Sequence, residues 1–295
     1  MRPSLWCVLL LAVGLLPGLA SAQDNFFDSG GIRIRYVDQG TGEPVVLVHG
    51  YTNAIERNWI ETGVLQKLVK DHRVIAFDLR GHGRSAKPHD ATAYGAEMGQ
   101  DVVRLLDRLN IARAHIVGYS LGGLITAKLL TTNPDRFTTA TLIAASARRR
   151  WTADDERNAQ ATAAELEGGV PYRSLVLAVA PSNQPRPTEE AIRKTSQEIV
   201  ARNDPLAHAA MVRADHDLLV TDAQMAAVRI PTLAIIGTAD PGVARVKTLK
   251  AIWPALQVVL VDGATHWGDR GILVRPEFMA SLRSFIAAHR SVSPK

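Results

Sequence analysis

Cysteine occurs once in the 295 residues, at Cys7, so the chain has neither a disulfide framework nor a paired-thiolate metal site. It also lacks an H-E-x-x-H pair and any run of carboxylates at calcium-loop spacing, and no metal is implied. Gly81-His82-Gly83 lacks the third glycine and the acidic partner of a dinucleotide fingerprint. It reads as a tight turn, and no cofactor is implied. Aromatic residues are scarce at 5%, and the formal net charge is only +5. That surplus is spread out. Its densest run, Arg148-Arg149-Arg150, reads as a solvated surface, so nucleic acid is not an expected partner.

Long apolar runs are missing too, with one exception at residues 5–19. That run contains Gly14 and Pro17-Gly18 and is short for a membrane span. Arg2 precedes it and the small-x-small box Ala20-Ser21-Ala22 follows, the pattern of an export signal. Residues 1–22 are therefore expected to be removed, leaving a periplasmic or secreted chain that starts at Gln23 and spans no membrane. Cys7 would leave with the signal, and its place inside the run argues against a lipid anchor.

The chain as a whole has the composition of a globular protein, 46% hydrophobic and 21% charged. Ile32-Arg33-Ile34-Arg35-Tyr36-Val37 alternates and predicts a half-exposed edge strand. Val45-Val46-Leu47-Val48 is apolar throughout, as a strand buried on both faces of a parallel sheet should be. Further strands are predicted at residues 73–78, 114–118, 141–145, 232–237 and 257–261, with helices between them and a last helix over 276–289. From about Ala147 to Ala226 the pattern changes to helix-like runs separated by prolines. The expected organisation is a doubly wound, mostly parallel α/β sheet in two parts, 23–146 and 227–295, with a helical cap at 147–226.

Chemistry concentrates at predicted strand ends. Gly118-Tyr119-Ser120-Leu121-Gly122 has G-x-S-x-G spacing between a strand and a helix, a turn that exposes a serine hydroxyl. The motif is short and also arises by chance. A serine hydroxyl is a weak nucleophile, so it needs a base and a group to orient that base. His266 follows the last strand, and Asp240 follows the one before it. An aspartate before proline is by itself an ordinary turn residue. The order Ser120, Asp240, His266 is nevertheless the one this elbow calls for, and all three fall at one sheet edge. The Leu121 N–H and the Tyr51 N–H are the candidate oxyanion donors. His49 reads as structural, its ring bonding to the loop backbone. His72, His89, His208, His216 and His289 read as polar-site or surface residues.

Val46-Leu47-Val48-His49-Gly50, Asp78-Leu79-Arg80-Gly81-His82-Gly83-Arg84-Ser85, the serine elbow, Asp240 and His266 together resemble the α/β-hydrolase fold superfamily. The resemblance covers roughly residues 31–288 apart from the cap. It implies a catalytic triad of Ser120, Asp240 and His266, and an oxyanion hole from Tyr51 and Leu121. Thr265 departs from the glycine that relatives often carry there, and Tyr51-Thr52 replaces a Phe-Pro-like pair; both bear on pocket shape. Serine at the nucleophile position separates the chain from the aspartate-using dehalogenases and epoxide hydrolases of this fold. The resulting expectation is a serine esterase acting on a small carboxylic ester. A lactonase or C–C bond hydrolase would share these motifs, and a non-catalytic binding protein would often have lost one triad member. Tyr119, Trp151, Tyr172, Leu175 and Trp267 are candidate pocket residues, with ordinary packing as their alternative.

Overall fold

A computed structural model describes residues 24–290. The expected export signal and Cys7 lie outside the described residues. Elements follow in the order β1 (Asn25–Asp28), β2 (Arg33–Gln39), β3 (Pro44–Val48), α1 (Val64–Leu68), β4 (Arg73–Phe77) and α2 (Glu97–Arg108). Then come β5 (Ala114–Tyr119), α3 (Leu121–Thr132) and β6 (Phe137–Ile143). Five helices intervene before the next strand: α4 (Ala153–Gly168), α5 (Arg173–Ala178), α6 (Glu189–Val200), α7 (Pro205–Arg213) and α8 (Asp222–Ala227). The chain closes with β7 (Thr232–Gly237), α9 (Val243–Ile252), β8 (Gln257–Val261) and α10 (Pro276–Ala288).

The strands form one eight-stranded sheet in the order β1-β2-β4-β3-β5-β6-β7-β8. β1 and β2 are antiparallel to their neighbours, and β4 to β8 with β3 run parallel. Period-2 alternation sorts the apolar side chains onto two faces. Val46, Val48 and Ile116 pack with residues of α2, α3 and α9, whereas Val45, Leu47 and Val117 pack with α1 and α10. That double burial is why β3 reads as an unbroken apolar run and β5 is apolar but for His115. Register then aligns the strand ends: Val48 pairs with Gly118, Tyr119 with Ile143, and Gly237 with Val261.

The edge-strand reading of residues 32–37 is corrected. β1 covers β2, and Arg35 is only 2% exposed. Its guanidinium meets Asp24, Glu56 and Asp78 at 2.6–3.1 Å. Burial works against its charge, but the hydrogen bonds it donates to Glu56, Asp78 and Asp24 outweigh that and raise its pKa. A charged side chain looks solvent-facing in sequence, and its three neutralising partners come from separate segments.

Four of the helices between β6 and β7, α4 to α7, enclose a small core of Ala163, Leu166, Tyr172, Val176, Ile192, Ile199 and Ala209, while Met225 of α8 joins the main core. The two ends of this segment are tied to each other, with the Val220 N–H donating to the Arg148 carbonyl at 2.9 Å. α7 serves both regions: Ala209 faces the small core, while Ala207, Ala210 and Met211 join the main one. Among the described residues no helix is long and apolar enough to cross a membrane.

Candidate active site

Ser120 caps α3 directly after β5, at φ 52° and ψ −113°. A non-glycine residue rarely adopts positive φ, and the cost is supported here by the surrounding fit. A Cβ at Gly118 would fall 2.2 Å from the Gly122 carbonyl oxygen, and one at Gly122 would fall 2.1 Å from the Val48 carbonyl oxygen. Only glycine at those two positions lets the strand turn into the helix while packing against β3. The Ser120 N–H donates to the Ile143 carbonyl at 2.9 Å, pinning the turn to β6.

Asp240 and His266 reach Ser120 from β7 and β8. His266 Nε2 lies 3.0 Å from Ser120 Oγ, and its Nδ1 lies 2.7 Å from Asp240 Oδ2. The other Asp240 oxygen accepts from the Gly242 N–H at 2.7 Å. A carboxylate only accepts, so Nδ1 carries the ring proton and Nε2 is left to accept from the serine hydroxyl. The Asp240 side chain is 1% exposed and that of His266 11%. Gly237 makes this approach possible, because a Cβ there would lie 1.9 Å from the Ala264 carbonyl oxygen. The departure at Thr265 has a local use: its hydroxyl donates to the Trp267 carbonyl at 2.9 Å, fastening the histidine loop.

The loop after β3 is built around His49. The Leu79 N–H donates to His49 Nε2 at 2.9 Å, so Nδ1 is the protonated nitrogen and donates to the Gly50 carbonyl at 2.8 Å. Burial lowers the pKa of this imidazole, keeping it neutral. Gly50 is required because a Cβ there would lie 2.8 Å from the Tyr119 ring. The Asp78–Ser85 motif is scaffolding for the same rim. Asp78 accepts from the Ile55 and Arg84 N–H groups, each at 2.9 Å, and a Cβ at Gly83 would collide with its carboxylate.

A cavity of about 640 Å³ opens over Ser120 and His266, and Tyr51, Leu121 and Leu175 line it. Tyr119 and Trp267 do not; with His266 they line a neighbouring cavity of about 370 Å³. Tyr119 also donates its hydroxyl to the His266 carbonyl at 2.7 Å. Tyr172 is buried in the small helical core, hydrogen-bonded to His208 at 2.9 Å. Trp151 packs against Arg148 and bonds to Glu156 instead of lining the cavity.

Two sequence readings are corrected here. Arg148, Arg149 and Arg150 are not merely a solvated surface, since all three line the 640 Å³ cavity. The run begins a few residues beyond β6, on the C-terminal side of the strand, and that position is its signal in the sequence. His208 is fully buried, its ring 4.4 Å from that of His82 and 4.7 Å from that of Tyr51. Burial drives its pKa down to about 3 and that of His82 well below the ordinary imidazole value. Its flanking residues Ala207 and Ala209 carried the hint of burial.

A family model described as alpha/beta hydrolase fold matches residues 43–268. A dihydrolipoyllysine-residue acetyltransferase component of an acetoin cleaving system from Cupriavidus necator is 38% identical over 125 residues, 42% of this chain and 32% of that protein. A 3-oxoadipate enol-lactonase from Acinetobacter baylyi is 34% identical over 184 residues, 59% of this chain and 64% of that one. The matched stretches thus span from about a third to just under two thirds of these relatives' lengths. Among solved structures, a thermophilic esterase from Thermogutta terrifontis superposes with a TM-score of 0.74 at 23% identity, covering 91% of this chain and 100% of that one.

Proposed function

The chain belongs to the α/β-hydrolase fold family, and on that premise we propose that it is a serine hydrolase of carboxylic esters. The observation that carries this reading is the unbroken pair of hydrogen bonds from Ser120 Oγ through His266 to Asp240, at 3.0 and 2.7 Å. As Ser120 Oγ bonds to the substrate carbonyl carbon, its proton passes to His266 Nε2 and the carbonyl π electrons move onto oxygen. The Leu121 N–H at the start of α3 and the Tyr51 N–H receive that oxyanion; one such donor contributes ~3 kcal/mol to transition-state stabilisation. Collapse expels the alcohol, which takes the proton from His266. Water then attacks the acyl-enzyme, gives its proton to His266, and Ser120 leaves as the hydroxyl again. Asp240 accepts from Nδ1 throughout and favours the imidazolium.

A lactone is a cyclic ester and passes through the same steps. The likeness to an enol-lactonase at 34% identity favours lactonase as the second reading. In both, the helices between β6 and β7 act as the lid over a small-molecule site. The basic start, apolar run and Ala20-Ser21-Ala22 box support export of the chain. A mature N-terminus at Gln23 is the expected mass-spectrometric result in the exported fraction, and retained Met1 there refutes cleavage. For the activity, Ser120→Ala is expected to lose about 10⁶-fold in turnover of a p-nitrophenyl ester and all labelling by a fluorophosphonate. Equal turnover by wild type and variant sinks the hydrolase reading.

A further inference from the structure

The apolar floor of the 640 Å³ cavity gives way at one side to charge of mainly one sign. Four guanidinium groups, Arg148, Arg149, Arg150 and Arg245, line it against two carboxylates, Asp155 and Asp215. Both carboxylates are already engaged. Asp155 accepts from the Thr152 N–H and hydroxyl in the cap of α4, and Asp215 pairs with Arg148 at 2.8 Å. Arg149 pairs with Asp222, which lies outside the cavity lining. Arg150 and Arg245 hold no ion pair among the described residues. They approach from different elements, one before α4 and one on α9. Arg148 is held between Asp215 and the Trp151 ring, which leaves Arg150 and Arg245 as the unpaired cations of the lining.

Two explanations compete for such a cluster. A purely structural role accounts for Arg148 and Arg149, whose carboxylates fix them in place. It does not account for Arg150 and Arg245, which line the cavity that holds the candidate nucleophile and pair with no carboxylate among the described residues. Exposed cations are ordinarily solvated and need no partner. These two differ in flanking a concave site whose apolar walls lower the local dielectric and strengthen attraction for an anion. Planar guanidinium groups also match a carboxylate in a way that an apolar acyl chain does not need.

Resting on the serine-hydrolase reading, we infer that the substrate is an ester or lactone carrying a second, free carboxylate, received by Arg150 and Arg245. Neutral esters of the same length occupy the same apolar floor but leave these donors without an acceptor. The carboxylate therefore selects among esters that the triad would treat alike.

The test compares p-nitrophenyl monoesters of adipic and suberic acid with their neutral methyl esters, on the full chain. Wild type is expected to favour at least one monoanion over its methyl ester by roughly tenfold or more in kcat/KM, the scale of one charge-assisted hydrogen bond. In Arg150→Gln/Arg245→Gln that preference should fall toward unity, and added salt should weaken it in wild type. Arg150→Lys should retain most of the preference, and Arg186→Gln, outside the cavity, all of it. The ratio is read within one preparation, so a change in folded fraction cancels. Wild type that takes the neutral esters equally well overturns the inference and leaves the hydrolase reading standing, as does a ratio unmoved by the double variant. Turnover of neither ester type overturns both.

Discussion

The sheet and the inserted helices differ in how many side chains they bury. Along β3, Val45, Val46, Leu47 and Val48 are all fully buried, and Ile116 and Val117 continue that packing on β5. The inserted helices share instead a small core of seven residues, Ala163, Leu166, Tyr172, Val176, Ile192, Ile199 and Ala209. A dense two-faced core holds backbone positions tightly, and that is where the candidate reacting groups are anchored. The helical core holds far fewer buried side chains than the two faces of the sheet, hence lower local stability. On the proposed reading, the rim of the sheet sets which bond is broken and the inserted helices set which molecule reaches it.

The strongest way to sharpen this contrast is at the sheet rim. Asp240→Asn keeps the size of the side chain but upsets the tautomer that leaves His266 Nε2 free to accept. Turnover should fall by about 10⁴-fold with little change in KM. A variant with near wild-type kcat would detach the β7 end from the chemistry. Next in size is stability of the sheet itself. Arg35→Ala strands the buried Asp78 carboxylate without its cation, which is expected to cost about 3–5 kcal/mol in urea unfolding. A cost below 1 kcal/mol would mean that β1 and β2 stand outside the cooperative core.

The smallest effect belongs to the junction, where His208 of α7 packs on His82 and Tyr51. A neutral imidazole with a folded-state pKa of about 3 binds no proton near pH 5, whereas the unfolded chain does. Its contribution is present above the unfolded value near 6.5 and is lost as pH falls below it toward 3. From pH 7 to pH 5 the His208 share of that loss is about 2 kcal/mol. His82 and His49, both lowered by burial, act in the same direction. Urea midpoints of His208→Phe should depend less on pH over that interval than those of wild type. Identical slopes would show that this histidine is hydrated or already charged.

Much of the rim was legible in sequence because its constraints are local. Gly118 and Gly122 mark the serine turn by their spacing, and apolar runs mark β3, β7 and, but for His115, β5. Asp240 and His266 could be read because each follows a strand closely. What escaped depends on partners distant in sequence. Arg35 looks exposed until Asp24, Glu56 and Asp78 are brought around it. β1 carries too few residues to announce itself, and the cavity role of Arg148 to Arg150 exists only once the helices close over β6. Pocket candidates chosen as aromatics fared least well, since Tyr172 serves packing and Trp151 stacks on an arginine. Leu175, picked for its apolar run, does line the cavity.

The most direct test of the central claim is to trap the covalent intermediate. Wild-type protein mixed rapidly with p-nitrophenyl acetate and quenched in acid should gain one acetyl mass, mapped to the peptide holding Ser120. Release of p-nitrophenol should show a burst matching the concentration of sites. No burst and no adduct, or an acetyl group that persists in Ser120→Ala, would contradict a nucleophilic serine at this sheet edge.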